Sequence, residues 1–253
     1  MPAILSKPSQ CVTRLYEALA WRLASRSTIV ENHWRDRWNT TSLRRTGNRY
    51  LAASADIPGW LTYLEASALH RAATEAPSGN FVEIGSFCGR SSVVLAGAIE
   101  ERGGGDKLWC IDPFSGAGEP GQQFTGQQKL MRKIGLARSN ITSTYDTFAA
   151  NLAQLGLTNR VLTFAACSQD VLPVTRGSFS LAFIDGWHDY THTLRDAQLV
   201  QDRIQLGGFV LFHDFGPGCP GVVQAVNETL AADTRFERLM WNSGSVAVFR
   251  RAA

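Results

Sequence analysis

The stretch FVEIGSFCGRSS, residues 81–92, decides the fold. It has the pattern of a buried strand that ends at Glu83, a turn through Gly85 and Gly89, and a helix that begins near Ser91. Glycine lets the main chain approach a ligand closely, and a helix N-terminus with the Ser91 hydroxyl can receive a carboxylate or a phosphate. The stretch therefore predicts the start of a ligand-binding βαβ unit.

Short β-rich runs recur after this stretch and alternate with helical patterns. The runs are LWCI (108–111), VLTFA (161–165), LAFI (181–184) and FVLF (209–212), and the helical patterns cover residues 91–101, 144–155, 191–204 and 222–231. This alternation predicts an α/β fold with a doubly wound, mostly parallel sheet. Near the C-terminus, ERLMW and SVAVF flank Asn-Ser-Gly, which predicts an antiparallel hairpin at one edge and seven strands in all.

An N-terminal helical appendage is expected ahead of the sheet. Residues 11–30 have apolar positions at helical spacing, and a second helix is expected just before the first strand. We expect residues 1–56 to form the appendage, as a lid or an oligomerisation element, and residues 57–253 to form the ligand-binding domain. Because the apolar face of the first helix would otherwise be exposed, a homo-oligomer is expected.

Composition excludes several classes of protein. The chain has 253 residues, 44% hydrophobic and 19% charged, and its longest apolar run is far shorter than the roughly 20 residues that span a bilayer. This excludes a disordered chain and a transmembrane protein. Residues 1–50 hold nine Lys/Arg against three Asp/Glu, but the Arg residues are scattered, which favours a solvated helix over contact with nucleic acid or membrane.

The cysteines and the N-terminus indicate a cytoplasmic protein. Five widely spaced cysteines form no CxxC pair, which is typical of reduced thiols. Arg residues interrupt the one apolar stretch near the N-terminus, so no signal peptide is expected. The Gly- and Gln-rich segment at residues 116–128 is expected to be a mobile loop beside the site.

The second strand run ends in an acidic residue that suits a nucleoside ligand. Asp112 follows Gly85 by 27 positions, where a carboxylate can accept hydrogen bonds from both hydroxyls of a ribose. The spacing GxxxG differs from the GxGxxG of dinucleotide folds, and residues 86–88 fill the space that a pyrophosphate needs, which argues against NAD. The structural alternative for Asp112 is a cap of the following turn.

Taken together, these motifs resemble class I S-adenosylmethionine-dependent methyltransferases, in the branch that holds catechol O-methyltransferase and the macrolide-sugar and aminocoumarin-sugar O-methyltransferases. The resemblance covers residues 58–250 and implies a Rossmann-like methyltransferase fold with S-adenosyl-L-methionine as cofactor. It assigns the methionine moiety to Glu83, Gly85, Ser86 and Ser91, and the ribose to Asp112. The segment AACSQDVLP resembles the adenine side of the family, which places Ser168 and Gln169 beside the adenine.

The most specific stretch is FIDGWHDY, residues 183–190, which resembles FxDxWKxxY of the catechol enzymes and DxxH of the sugar enzymes. The resemblance implies that Asp185 binds a divalent metal, that Trp187 lies near the adenine and that His188 is the general base. A histidine that titrates near neutrality suits the removal of a proton from an attacking hydroxyl. The alternative is a surface histidine bonded to nearby carboxylates; Asp189 and Asp196 are expected to be helix-start and surface residues.

The fifth strand run ends in FVLFHDF, residues 209–215, where relatives place two adjacent acids, or an Asp and an Asn, that complete the metal site. The pair here is His213 and Asp214. With Asp185, an imidazole and two carboxylates favour manganese, iron, cobalt or zinc over magnesium. If no metal binds, His213 joins His188 in acid/base work.

We therefore predict an S-adenosylmethionine-dependent O-methyltransferase that acts on a hydroxyl of a small molecule, a sugar of a glycosylated natural product in secondary metabolism. N-methylation of an amine uses the same cofactor pocket and is the first alternative. A nucleotide-dependent oxidoreductase and a non-catalytic binding protein are the others. A non-catalytic binding protein is disfavoured by Asp185, His188 and Asp214, because all three lie at the carboxyl ends of predicted strands, where such sheets place their sites.

Overall fold

The computed structural model describes residues 38–114 and 144–253. The strands are β1 (Phe81–Ile84), β2 (Leu108–Ile111), β3 (Val161–Phe164), β4 (Phe179–Ile184), β5 (Ile204–Phe212), β6 (Phe236–Leu239) and β7 (Ala247–Arg251). After a helical segment at residues 38–45, the helices are α1 (Arg49–Ser54), α2 (Tyr63–Glu75), α3 (Arg90–Arg102), α4 (Thr144–Gln154), α5 (Ser168–Val171), α6 (Tyr190–Gln201) and α7 (Pro220–Glu228). Within these two ranges, every helix is too short or too polar to cross a membrane.

The seven strands form one sheet in the order β3-β2-β1-β4-β5-β7-β6. The first five are parallel, whereas β7 runs antiparallel to both β5 and β6. The predicted doubly wound sheet with a C-terminal antiparallel hairpin is confirmed. The strand order reverses between β1 and β4, so the carboxyl ends of these two strands border the crevice where open α/β sheets bind ligands.

Helices cover both faces of the sheet, which explains why the parallel strands are apolar on both sides. In β1, Phe81 packs into the core shared with α1 to α4, whereas Val82 and Ile84 pack into the core shared with α5 to α7. The first core contains the side chains Leu51, Leu69, Leu95 and Phe148, and the second contains Val171, Val200 and Val226.

Residues ahead of α2 belong to the same core. Leu43, Tyr50 and Leu51 are buried with the side chains of α3. A Cβ atom at Gly97 of α3 would lie only 2.3 Å from the Tyr50 ring, so a glycine is needed where α1 crosses α3. Residues 43–54 thus pack on the sheet domain, whereas the predicted helix at 11–30 and the loop at 116–128 lie outside the described residues.

Some elements differ from the sequence prediction. The helix predicted to run to Ile204 ends at Gln201, and Ile204 instead pairs with Phe179 as the first residue of β5. Ile204 is 1% exposed, so its burial in the sheet outweighs the helical spacing of the sequence. The four-residue helix α5 was not predicted, because it is too short to show a helical period.

Candidate active site

The turn after β1 lies directly against the end of β4. Gly85 has a φ of +91°, and a Cβ atom there would lie 2.1 Å from the carbonyl oxygen of Asp185. Only glycine permits this approach of two backbones. The contact brings the predicted cofactor loop beside Asp185.

Glu83 supports this turn from within the core. Its carboxylate is fully buried and accepts hydrogen bonds from the Ser86 hydroxyl at 2.8 Å, from the Ser92 hydroxyl and from the Cys110 thiol at 3.3 Å. Burial raises the pKa of Glu83, and the donors offset this only in part. Glu83 and Ser86 thus bond to each other, and Ser91 lies buried in the first turn of α3.

The start of α3 has no capping side chain. Gly89, in the left-handed conformation, offers no side-chain cap, so the first-turn N–H groups of α3 are not satisfied by a capping side chain. Uncapped amides at a helix N-terminus suit a carboxylate, which is what the methionine part of the cofactor presents.

Asp112 is held rigidly at the end of β2. One carboxylate oxygen accepts the Phe87 N–H at 2.7 Å and the other accepts the Phe114 N–H at 2.6 Å. Each oxygen keeps a second lone pair, which is what two ribose hydroxyls require. Asp112 therefore caps the following turn, through the Phe114 N–H, and this role is compatible with the predicted ribose contacts.

The three residues expected on the adenine side all contact one face of α6. The Ser168 hydroxyl donates to Asp196, Gln169 accepts from Arg195, and the Trp187 ring lies 4.4 Å from that of His192, centroid to centroid. Since positions 192, 195 and 196 share a helix face, the structure brings Ser168, Gln169 and Trp187 together around it.

Asp196 is not a surface residue as the sequence suggested. It is 5% exposed, and burial raises its pKa to about 6, although the Ser168 hydroxyl bond lowers it. The sequence concealed this because Asp196 stands in a largely polar helix whose apolar face is narrow. Asp189 is the N-cap of α6, as expected, with its side chain accepting from the His192 N–H.

Four titratable side chains converge where β4 and β5 end. Nε2 of His188 lies 3.0 Å from Asp214 Oδ2 and 3.7 Å from Asp185 Oδ1. Nδ1 of His213 lies 3.1 Å from Asp185 Oδ1 and 3.2 Å from Asp214 Oδ2. His188 is about half exposed, whereas the His213 side chain is 5% exposed. The two imidazoles therefore contact the same carboxylate pair, one from the solvent side and one from the core.

This cluster has unusual charge states. Asp185 and Asp214 raise the pKa of His188 to about 10. Burial opposes the charged form of His213, but Asp185, Asp214 and Glu65 outweigh it and raise its pKa. Hydrogen bonds from His188 and, to a smaller extent, from His213 lower the pKa of Asp214. The carboxylates therefore favour the protonated form of both imidazoles.

The cluster also fits a divalent metal ion. Ligand atoms of Asp185, His188 and Asp214 all lie within 4.8 Å of one another. Both ring nitrogens of His213 are enclosed and lack an aligned hydrogen-bond partner, although Nδ1 faces the two carboxylates. Imidazole and carboxylate together suit manganese, iron, cobalt or zinc. His188, predicted as a base, thus lies within reach of the predicted metal ligands, which the spacing in the sequence did not reveal.

A family described as "Methyltransferase domain" matches residues 82–215, more than half of the chain. The chain belongs to this methyltransferase family. Its sheet order is that of the class I methyltransferases, which take the methyl group from S-adenosylmethionine.

Solved structures share the fold. The O-methyltransferase NovP is 20% identical, with a TM-score of 0.61 over 76% of this chain and 81% of that one. TomG from Streptomyces achromogenes, an O-methyltransferase involved in tomaymycin synthesis and solved with SAM, is 18% identical, with a TM-score of 0.56 over 87% and 99%. An O-methyltransferase from Bacillus cereus solved with SAH is 14% identical, with a TM-score of 0.53 over 84% and 91%.

Glu65 is the residue at this site that sequence reasoning missed. Its carboxylate is 4% exposed, and Oε2 lies 3.4 Å from Nε2 of His213. The Thr-x-x-Glu spacing at Thr62 and Glu65 is a capping-box signature, and the structure contains that capping box. The signature indicates a helix start, but it gives no sign of a partner 148 positions further along the chain.

Proposed function

We propose that the protein transfers the methyl group of S-adenosylmethionine to a hydroxyl of a small molecule, a sugar hydroxyl of a glycosylated natural product. One observation supports this above the others: Asp185, His188 and Asp214 converge directly beside the Gly85 turn. A proton acceptor and a pair of carboxylates next to the cofactor loop are what hydroxyl methylation requires. The sugar class is supported by the DxxH spacing of Asp185 and His188.

The cofactor would lie across the carboxyl ends of β1, β2 and β4. The first-turn amides of α3 would receive its carboxylate, and Asp112 would accept hydrogen bonds from both ribose hydroxyls. Ser168, Gln169 and Trp187, which all contact α6, would surround the adenine.

The protonation of His188 decides how the site removes a proton. Asp185 and Asp214 raise the pKa of His188 to about 10 and so favour its protonated form, whereas a general base must be unprotonated. Asp185, His213 and Asp214 would hold a divalent cation, which would lower the pKa of a nearby acceptor hydroxyl. His188, whose Nε2 lies on the solvent side of the two aspartates, would accept the hydroxyl proton.

His213 is less suited to the role of alternative base. Its ring nitrogens are enclosed, with Glu65 on one side and the two aspartates on the other. A proton from an acceptor could reach His213 only through Asp185 or Asp214. We therefore assign His213 to holding the cation with the two aspartates.

Methyl transfer from isotopically labelled S-adenosylmethionine tests the proposal directly. The full chain is incubated with a panel of glycosylated natural products, with EDTA or with Mn²⁺ or Mg²⁺, and each product is assigned by NMR. We expect an O-methyl sugar, no turnover in excess EDTA, and Mn²⁺ at least as effective as Mg²⁺. An N-methyl product would contradict the hydroxyl assignment, and full activity in EDTA would contradict the metal.

A further inference from the structure

Glu65 lies outside the parallel sheet, yet its carboxylate contacts His213, the most buried member of the histidine and aspartate cluster. It belongs to the first turn of α2, before β1 in the chain, and its side chain is almost completely buried. A buried carboxylate is costly unless several donors surround it. The hydrogen-bond donors around Glu65 offset this cost.

Three donors fix the carboxylate of Glu65 in place. Oε2 accepts the Thr62 N–H at 2.7 Å, while Oε1 accepts the Ser245 N–H at 3.1 Å and the Ser245 hydroxyl at 2.7 Å. Gly244, at a φ of +63°, brings the turn before β7 against the carboxylate, because a Cβ there would lie 3.0 Å from Oε1. Burial raises the pKa of Glu65, but His213 and these donors outweigh it and lower the value to about 2.

The fixed carboxylate faces His213. Oε2 of Glu65 is 3.4 Å from Nε2, and Nδ1 of the same ring faces Asp185 and Asp214 at 3.1 and 3.2 Å. Phe183 packs edge-on against the ring, with the centroids 6.3 Å apart. The ring is thus confined between one carboxylate from α2 and two carboxylates at the strand ends.

We propose that Glu65 is a positioning residue, which holds the Nε2–H of His213 so that Nδ1 faces the Asp185–Asp214 pair as a metal ligand. Histidines that bind metals regularly donate their other N–H to a carboxylate, which fixes the tautomer and makes the ligating nitrogen more basic. Glu65 is positioned to do this because α2 and the turn before β7 hold it independently of the site. This inference rests on the proposed metal site and deepens it.

A purely structural role for Glu65 is the competing explanation, since it also forms a capping box and ties the turn before β7 to α2. Glu65→Gln separates the two roles. Glutamine is accepted in a capping box, so the variant is expected to fold, but it places no negative charge beside His213. Thr62→Ala is the matched control, because it removes the capping hydroxyl at a cost of about 1 kcal/mol and leaves the Glu65 carboxylate facing His213.

Calorimetric titrations of the full chain with Mn²⁺ and, separately, with S-adenosylhomocysteine give the readout. We expect Glu65→Gln to weaken Mn²⁺ binding by roughly 10- to 100-fold and to leave S-adenosylhomocysteine binding within about threefold, whereas Thr62→Ala changes neither. Unchanged Mn²⁺ affinity in Glu65→Gln, or an equal loss in Thr62→Ala, would overturn the positioning role. Wild-type protein that binds S-adenosylhomocysteine but no Mn²⁺ would overturn the metal site and this inference while leaving the methyltransferase intact.

A measurement on the wild-type protein tests the proposal even if Glu65→Gln fails to fold. In long-range ¹H–¹⁵N spectra of the Zn²⁺-loaded protein, His213 should carry its proton on Nε2 and none on Nδ1. A proton on Nδ1 in that spectrum would contradict the proposal without any substitution.

Discussion

Within residues 38–114 and 144–253, three non-glycine residues have a positive φ: Phe87 at +47°, Phe114 at +50° and Asp214 at +55°. Each such residue costs on the order of 1–3 kcal/mol and persists only where surrounding contacts enforce it. Two of them donate their N–H groups to Asp112, and the third supplies a carboxylate to the histidine cluster. Backbone strain is therefore concentrated at the proposed ribose and metal sites.

Asp112 provides the first prediction at this scale. Asp112→Ala would remove the two proposed charge-assisted hydrogen bonds to the ribose, each contributing roughly 1.5 to 3 kcal/mol. We expect S-adenosylhomocysteine to bind at least about tenfold more weakly, measured by calorimetry. Asp106→Ala, at another half-buried aspartate outside the proposed site, serves as the control for stability. Unchanged affinity in folded Asp112→Ala would remove Asp112 from the site.

His188 provides the second prediction. Loss of a general base lowers rates by roughly 10²- to 10⁴-fold. His188→Ala should lower the turnover number by about this factor and leave S-adenosylmethionine affinity nearly unchanged, since the proposed base would contact the acceptor rather than the cofactor. His188→Lys should retain part of the activity. Near-normal turnover of His188→Ala between pH 6 and 9 would reject the assignment.

Asp196 predicts a pH dependence of stability. Its pKa rises from 3.8 to about 6 on folding because of burial, so the folded protein binds the proton more tightly than the unfolded chain, and Asp196 reduces stability as the pH rises through this window. The full effect corresponds to roughly 3 kcal/mol. Asp196→Asn should therefore gain stability relative to wild type, by up to that amount, between pH 4 and pH 7.5 in urea unfolding.

The control for this measurement lies on the same helix. Folding lowers the pKa of Asp189 below 3.8, so its contribution to stability is already present at pH 4, and the difference between Asp189→Asn and wild type should stay nearly constant between pH 4 and pH 7.5. If the difference in unfolding free energy between Asp196→Asn and wild type stays constant over the pH range, the raised pKa of Asp196 is contradicted.

Among the secondary-structure elements, the junction of the β1 turn with the end of β4 is the most constrained. A methyl group at Gly85 would lie 2.1 Å from the Asp185 carbonyl oxygen, at a φ that disfavours alanine. Gly85→Ala should lower the free energy of unfolding by at least about 3 kcal/mol. Gly105→Ala, where a Cβ meets no atom within 4 Å, should change it by less than about 0.5 kcal/mol in the same chemical denaturation. Equal small changes in both variants would contradict this packing.

The order and type of the main elements could be predicted from the sequence because their signals are local. Apolar runs, helical spacing and the glycines of the first turn identify β1 to β5 and the helices between them. Asp112, Asp185 and Asp214 could be predicted as strand-end acids for the same reason. The resemblance to methyltransferases supplied the roles.

The contacts of Glu65 and Asp196 could not be predicted, because they join segments that are distant in the chain. Glu65 meets Ser245 and His213 only once the sheet has brought α2, β5 and β7 together. Asp196 is buried because α5 and the end of β4 cover it, and neither has a periodic pattern that reveals this. Side-chain partners of this kind follow from topology and not from spacing.

Across the whole molecule, the proposed cofactor and metal positions share one edge of the sheet. The carboxyl ends of β1 and β2 provide the turn and Asp112, and those of β4 and β5 provide the histidine and aspartate cluster. A doubly wound sheet places both sets beside the point where its strand order reverses. Donor and acceptor would therefore meet between β1 and β4.

Binding of S-adenosylhomocysteine to the full chain tests this account most directly. Calorimetric titration should show one site per chain for S-adenosylhomocysteine, and NADH under the same conditions should give no binding heat, because the first turn lacks the GxGxxG spacing of dinucleotide folds. Binding of NADH in place of S-adenosylhomocysteine, or no binding of S-adenosylhomocysteine to the folded chain, would contradict it.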